Sequence, residues 1–214
     1  MNPYIYLLIA LAFATTLGYL AGKEKNKAIG KMIGAAAEKV LAPEDTEYIN
    51  IGGVLGHNFT YKLNAPFTEA KGTFTLLPRH SVLYIPLSLL ISRHDRFYLH
   101  LFTEGELQGE GHIIAEKYYP KMRVDIAGVE KLKRDTATSG EKRFIILYDN
   151  PRLEKNLRTL LENIEGTEHL LHFCCYRGNS NFFIHVIPKA ATLEPLLDGI
   201  YRQLPEMMKN RRKS

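Results

Sequence analysis

Tryptophan is absent from these 214 residues, and cysteine is confined to one adjacent pair, Cys174 and Cys175. Neighbouring cysteines cannot build a disulfide framework, so the chain needs no oxidising compartment. Also missing are a G-x-S-x-G nucleophile turn, a Walker loop and a Rossmann glycine fingerprint. The lone G-G-x-x-G at Gly52, Gly53 and Gly56 lies between an acidic linker and an expected strand. With no helix to follow, it reads as a turn and not as a phosphate cradle. No catalytic constellation emerges and no cofactor is implied, so an interaction protein is the first expectation. An enzyme or ligand-binding domain with an unrecognised pocket, or a lipid-surface adaptor, is the alternative.

The body of the chain also lacks a basic face. The net charge of +5 divides into +3 over residues 23–31 and +4 over residues 202–214, which leaves −2 for everything between. That distribution weighs against DNA or other nucleic acid as the domain's ligand. Charged residues at 24% and apolar residues at 45% exclude wholesale disorder and suffice for one core.

What the sequence does have is one long uncharged run. Tyr4 to Gly22 contains no charged side chain over nineteen positions. As a helix it would reach about 28 Å, close to the hydrocarbon thickness of a bilayer. Tyr4, Tyr6 and Tyr19 stand near its ends, where amphipathic rings favour the headgroup region. A signal peptide wants positive charge before its apolar run, whereas Lys23, Lys25, Lys27 and Lys31 follow this one. A small-residue pattern at Ala12-Phe13-Ala14 keeps cleavage as the alternative. The lysines favour an uncleaved anchor with its N-terminus outside and the remainder cytosolic.

Residues 26–41 are expected to be helical, with Ile29, Met32, Ile33, Ala36 and Val40 on one face and Pro43 as the stop. Two placements remain open: in the membrane interface, or as a continuation of the anchor packed on the domain. The expected organisation is an anchor at 1–22, a basic juxtamembrane helix and linker at 23–45, an α+β domain at 46–208 and a basic tail at 209–214.

The C-terminal half is the most readable. Phe144–Tyr148 forms a short apolar strand, and Asn150-Pro151 supplies a cap and first-turn proline. Leu153, Leu157, Leu160, Leu161 and Ile164 make a helical stripe that Gly166 ends. Strands at 168–176 and 181–187 flank the turn Arg177-Gly178-Asn179-Ser180. A last helix starts at Thr192, and Pro205 is expected to kink it. The first half repeats this order: a strand at 70–77, a helix at 81–92, strands at 96–103 and 111–118, and a weak helix at 121–134. Two βαββα units follow, joined by polar stretches such as Asp135 to Lys142.

His169, His172, Cys174 and Cys175 form the most metal-like stretch. Strand alternation sends Cys174 and Cys175 to opposite faces, each with one histidine, so each face offers two ligands where structural zinc takes four. No metal site is expected. His80, His94, His100, His112 and His185 are scattered singly, and Glu104, Glu106 and Glu110 read as a solvated loop. Lys209, Arg211, Arg212 and Lys213 lie beyond the last stripe position, Met208, and are expected to be solvated and able to touch a polyanion, ribosomal RNA or anionic lipid. Asn58-Phe59-Thr60 fits the glycosylation pattern and, on a cytosolic domain, would go unused.

The run Tyr19-Leu-Ala-Gly-Lys-Glu-Lys-Asn-Lys27 and the block Phe144–Arg212, with the order of elements between them, resemble the calumin family. These are coiled-coil-domain membrane proteins of the PAT intramembrane chaperone complex. The resemblance implies a non-enzymatic scaffold beside the protein-conducting channel, assisting insertion or folding of multipass proteins. Its partners would be translocon-associated membrane proteins and the ribosome. The family's acidic luminal segment has no counterpart in Met1 to Pro3, so calcium binding does not carry over. Its long C-terminal coiled coil is reduced to the basic tail.

Overall fold

A computed structural model describes residues 3–209. Pro3–Leu41 is one α-helix, α1, of 39 residues, with no break at Gly22. Its outer half is apolar on all sides and exposed, while Gly22, Asn26, Ile33, Gly34, Ala36, Ala37 and Leu41 are buried. The inner half therefore continues the apolar half without a break and packs on the domain.

Nine strands follow, β1 (Asp45–Asn50), β2 (Gly56–Lys62), β3 (Phe67–Thr75), β4 (Arg96–Thr103), β5 (Gly111–Ala115), β6 (Lys133–Ser139), β7 (Lys142–Tyr148), β8 (Leu170–Tyr176) and β9 (Asn181–Val186). They form one antiparallel sheet in the order β1-β2-β3-β4-β9-β8-β5-β7-β6. The helices are α2 (Ile85–Ser92), α3 (Tyr119–Met122), α4 (Pro151–Asn163) and α5 (Leu193–Gln203). The α+β class holds, and strand–helix–strand–strand–helix occurs twice, as β3-α2-β4-β5-α3 and β7-α4-β8-β9-α5.

The two halves are nonetheless not separate units. β8 and β9 form the expected hairpin, whereas β4 and β5 lie apart, with β9 and β8 between them. Strands from both halves interleave in a single sheet. Two segments also differ from expectation. The weak helix at 121–134 is reduced to the four-residue α3 and a 3-10 turn at Val129–Lys131, and its end belongs to β6. The polar stretch from Asp135 and the acidic linker before Gly52 are edge strands β6 and β1.

Side-chain alternation sorts the sheet into two faces. Phe59, Tyr61, Phe74, Phe97, Leu99, Phe173, Phe182, Ile184 and Ile146 meet α1, α4 and α5 in the main core. Helix α4 illustrates how local chemistry sets that packing. Extended Asn150 accepts the Leu153 N–H at 3.0 Å, Pro151 opens the helix, and Leu153, Leu157, Leu160 and Leu161 are buried. Beyond α5 the chain turns at Pro205 into a 3-10 helix, Leu204–Met207. On the opposite face Ile114, Ile126, Ile145 and Leu147 form a smaller core under Tyr118, Tyr119, Met122 and Val129.

Candidate functional site

The region where α1 leaves its apolar half and meets the sheet is the most constructed part of the surface. Positions 18, 22, 26, 30 and 34 of α1 are Gly, Gly, Asn, Gly and Gly, spaced by four and so aligned on one face. Each admits a close neighbour. A Cβ on Gly18 would lie 2.2 Å from Val82 Cγ2, and one on Gly22 would lie 2.1 Å from the Arg79 carbonyl oxygen. Gly30 faces the Phe74 ring and Gly34 the Tyr48 hydroxyl. The chain after β3 is thereby pressed onto the helix backbone, as small-residue stripes permit between membrane helices.

Asn26, buried in the middle of that stripe, makes the contact specific. Its Nδ2 donates to the Leu77 carbonyl at 2.9 Å, and its Oδ1 accepts from Arg79 Nη1 at 3.0 Å. Arg79 also forks onto Asp95, with 2.8 Å to Oδ1 and 2.7 Å to Oδ2. Asp95 Oδ1 further accepts the Leu77 N–H at 2.8 Å. A half-buried, bidentate and fully hydrogen-bonded pair of this kind fixes geometry. Breaking it would leave a charge poorly solvated. Further along, the Tyr48 hydroxyl joins Glu38 and Tyr61. Burial, reinforced by the Glu38 hydrogen bond, pushes the Tyr48 phenol up to about 12, so it stays a donor at any physiological pH.

The residues expected at a membrane interface all fall on α1. Tyr4, Tyr6 and Tyr19 are exposed. Tyr19 meets His80 edge-on at 5.8 Å, and Lys23 lies 5.9 Å from the Tyr19 ring centre. Lys25, Lys27 and Lys31 are exposed, and Lys27 pairs with Glu24 at 2.8 Å. Lys27 and Lys31 border a groove of about 490 Å³ between α1 and the first strands, with Gly30, Tyr48, His57 and Phe74 among its walls.

The basic tail is described only at its start. Lys209 does not stand free: its ammonium pairs with Glu106, and its N–H donates to the Glu106 carbonyl at 2.9 Å. Glu106 is accordingly more acidic than an ordinary carboxyl, through that hydrogen bond and charge. Arg211, Arg212 and Lys213 lie outside the described residues.

The metal-like stretch also differs from the count made on β8 alone. Cys174 and Cys175 do point to opposite faces, and His172 shares a face with Cys174. His169 falls in the 3-10 turn before β8. But β5 pairs with β8 and places His112 opposite Cys174, so that face carries three ligand atoms within 4.8 Å of one another. All three side chains are buried. His112 Nδ1 lies 3.1 Å from His172 Nε2, its Nε2 is 4.0 Å from the Cys174 sulfur, and Glu110 approaches that Nε2 at 3.4 Å. Burial holds the His172 imidazole well below its usual range and the Cys174 thiol well above, so both are neutral. His112 faces His172 through Nδ1 and the sulfur through Nε2, so the three side chains form one buried polar cluster. A cation would first have to displace the thiol proton.

Sequence reading missed the Asn26–Arg79–Asp95 lock and the role of Gly18 and Gly22. The signal was available in the four-residue spacing of small residues, hidden by the boundary drawn at Gly22. No protein-family model and no curated protein matches this chain.

Proposed function

We propose that the chain is a single-pass membrane protein and that its domain is a cytosolic, non-enzymatic scaffold. In this reading it assists insertion or folding of other membrane proteins beside the protein-conducting channel and the ribosome. The observation that supports it is the continuity of α1. One helix, long and apolar enough to cross a bilayer, enters the domain core without a linker. The Asn26–Arg79–Asp95 lock then holds the sheet at a fixed height and angle. A freely diffusing substrate gains nothing from such a mount, whereas a neighbour confined to the same membrane meets the domain in one orientation.

Purification in mild detergent, followed by identification of co-purifying proteins, tests this. Translocon or ribosome components are the expected result, and repeated recovery of the protein alone overturns the scaffold reading. Protease added to sealed, cytosol-side-out vesicles should digest the domain; full protection reverses the orientation. Asn58 is a poorer reporter than its sequon suggests, because it sits within β2 and its Oδ1 accepts from Thr73 at 2.8 Å. The groove beside Lys27 and Lys31 favours a second reading, a lipid-surface adaptor. Native mass spectrometry would then show an anionic lipid retained after detergent extraction and lost in Lys27→Ala/Lys31→Ala.

A further inference from the structure

The twelve residues from Ser81 to Ser92 carry no charge, and Arg79 and Arg93 flank them. Helix α2 lies in this run and has its polarity reversed. Its one buried side chain is Ser88, whose hydroxyl donates to the Ile85 carbonyl at 2.9 Å. Leu83 is 76% exposed, Leu90 78% and Ile91 66%, and Leu87 is also exposed. Single exposed leucines are ordinary, but a contiguous run of this kind on a folded domain marks a surface that meets something apolar.

The position of the run identifies what that is. Val82 seats on Gly18, inside the uncharged stretch of α1 and one helical turn before its end at Gly22. His80 to Leu83 share a cleft with Thr15, Thr16 and Tyr19. The segment thus begins against α1 at a level where, if α1 spans, hydrocarbon begins. Its helical part, Ile85–Ser92, is eight residues or about 12 Å, too short to cross a bilayer and suited to lying along its interface.

We infer that residues 81–92 are a second membrane element, lying in the leaflet through which α1 leaves and setting Leu83, Leu87, Leu90 and Ile91 among acyl chains. The inference rests on α1 being a span. With it, the domain grips lipid at two points beside one another, and the Arg79–Asp95 pair ties both to the sheet.

The test uses the full chain in phosphatidylcholine–phosphatidylglycerol vesicles with single spin labels at Leu11→Cys, Leu83→Cys, Leu90→Cys and Glu162→Cys. Cys174 and Cys175 are buried, and unsubstituted protein controls for their labelling. Labels at 83 and 90 are expected to show several-fold greater relaxation by oxygen than by a water-soluble nickel chelate, as at 11, with the order reversed at 162. Labels at 83 and 90 that follow 162 while 11 stays oxygen-accessible overturn the inference and leave the span intact. Low access of both relaxants at 83 and 90 also overturns it, because that is protein contact. A water-accessible label at 11 removes the span itself. Both tested positions are exposed, and using two guards against one misfolded variant.

Discussion

Helices α2 and α4 hold the same place in the two strand–helix–strand–strand–helix runs, yet they are built for different surroundings. Helix α4 is capped by Asn150, buries four leucines and shows charged residues outward. Helix α2 has no side-chain cap, buries one serine and shows leucines and isoleucine outward. Both contain several leucines, so leucine content alone does not say which way an element faces. The pattern does: a polar face opposite an apolar stripe belongs between core and water, and an element apolar all round belongs where no water is. The same contrast divides α1, whose outer half has no stripe and whose inner half has one made of small residues.

The contrast can be broken in four ways. The largest effect belongs to the stripe of α4. Leu157→Ala should lower unfolding free energy by about 2–5 kcal/mol, while Leu90→Ala should change it by less than about 0.5 kcal/mol. Denaturant unfolding in detergent checks this, and equal losses would mean that α2 is packed on the core after all.

Acid reaches the other face of the sheet. Burial, aided by His94, Arg96 and Lys121, pushes His185 down to about 3, and His172 is held low by burial and its neighbours His112 and His185. Unfolded histidines take up protons near pH 6.5, whereas these folded ones do not. Stability should therefore be full above about pH 6.5 and fall by about 1.4 kcal/mol per pH unit for each such histidine as acid is added. For His185 the fall ends near pH 3. Thermal midpoints from pH 7 to 4.5 test this, and His185→Phe should flatten the slope. An unchanged slope would move the acid sensitivity elsewhere, α4's uncharged stripe being immune.

Caps come next. Asn150→Ala should cost about 1 kcal/mol through loss of the bond to the Leu153 N–H. Tyr84→Ala, at the matching position before α2, should leave unfolding free energy unchanged because no cap bond is there to lose. Smallest of all is the tail. Changing Lys209, Arg211, Arg212 and Lys213 to Ala should leave the thermal midpoint nearly unmoved, yet weaken ribosome or anionic-vesicle co-sedimentation at low salt. Unaltered co-sedimentation removes the tail from any polyanion contact.

The half of the fold around α4 was legible because several local signals coincide there. A cap, a first-turn proline, a leucine stripe and a closing glycine all mark one helix, and Gly166 adopts the expected left-handed conformation at φ 74°. β1 and β6 were not legible. Both are edge strands with largely exposed polar side chains, so neither shows an apolar alternation. The interleaving of strands was hidden for a different reason: pairing between β5 and β8 is a contact across some sixty residues, and no local pattern encodes it. The same distance concealed His112 from His172 and Cys174. The lock on α1 escaped because Asn26, Arg79 and Asp95 are individually ordinary residues in three segments.

A helix without a hinge transmits angle. From Asn26 to Leu41, α1 runs about 24 Å beyond its apolar half, with the sheet fastened along it. Helices answer a change in bilayer thickness by tilting, and a further 10° of tilt would carry the far end of this lever sideways by about 4 Å. A flexible tether would absorb that displacement; this mount passes it to the sheet. Where α1 spans a bilayer, as proposed above, the height and inclination of the domain's outer surface would be coupled to that bilayer's thickness.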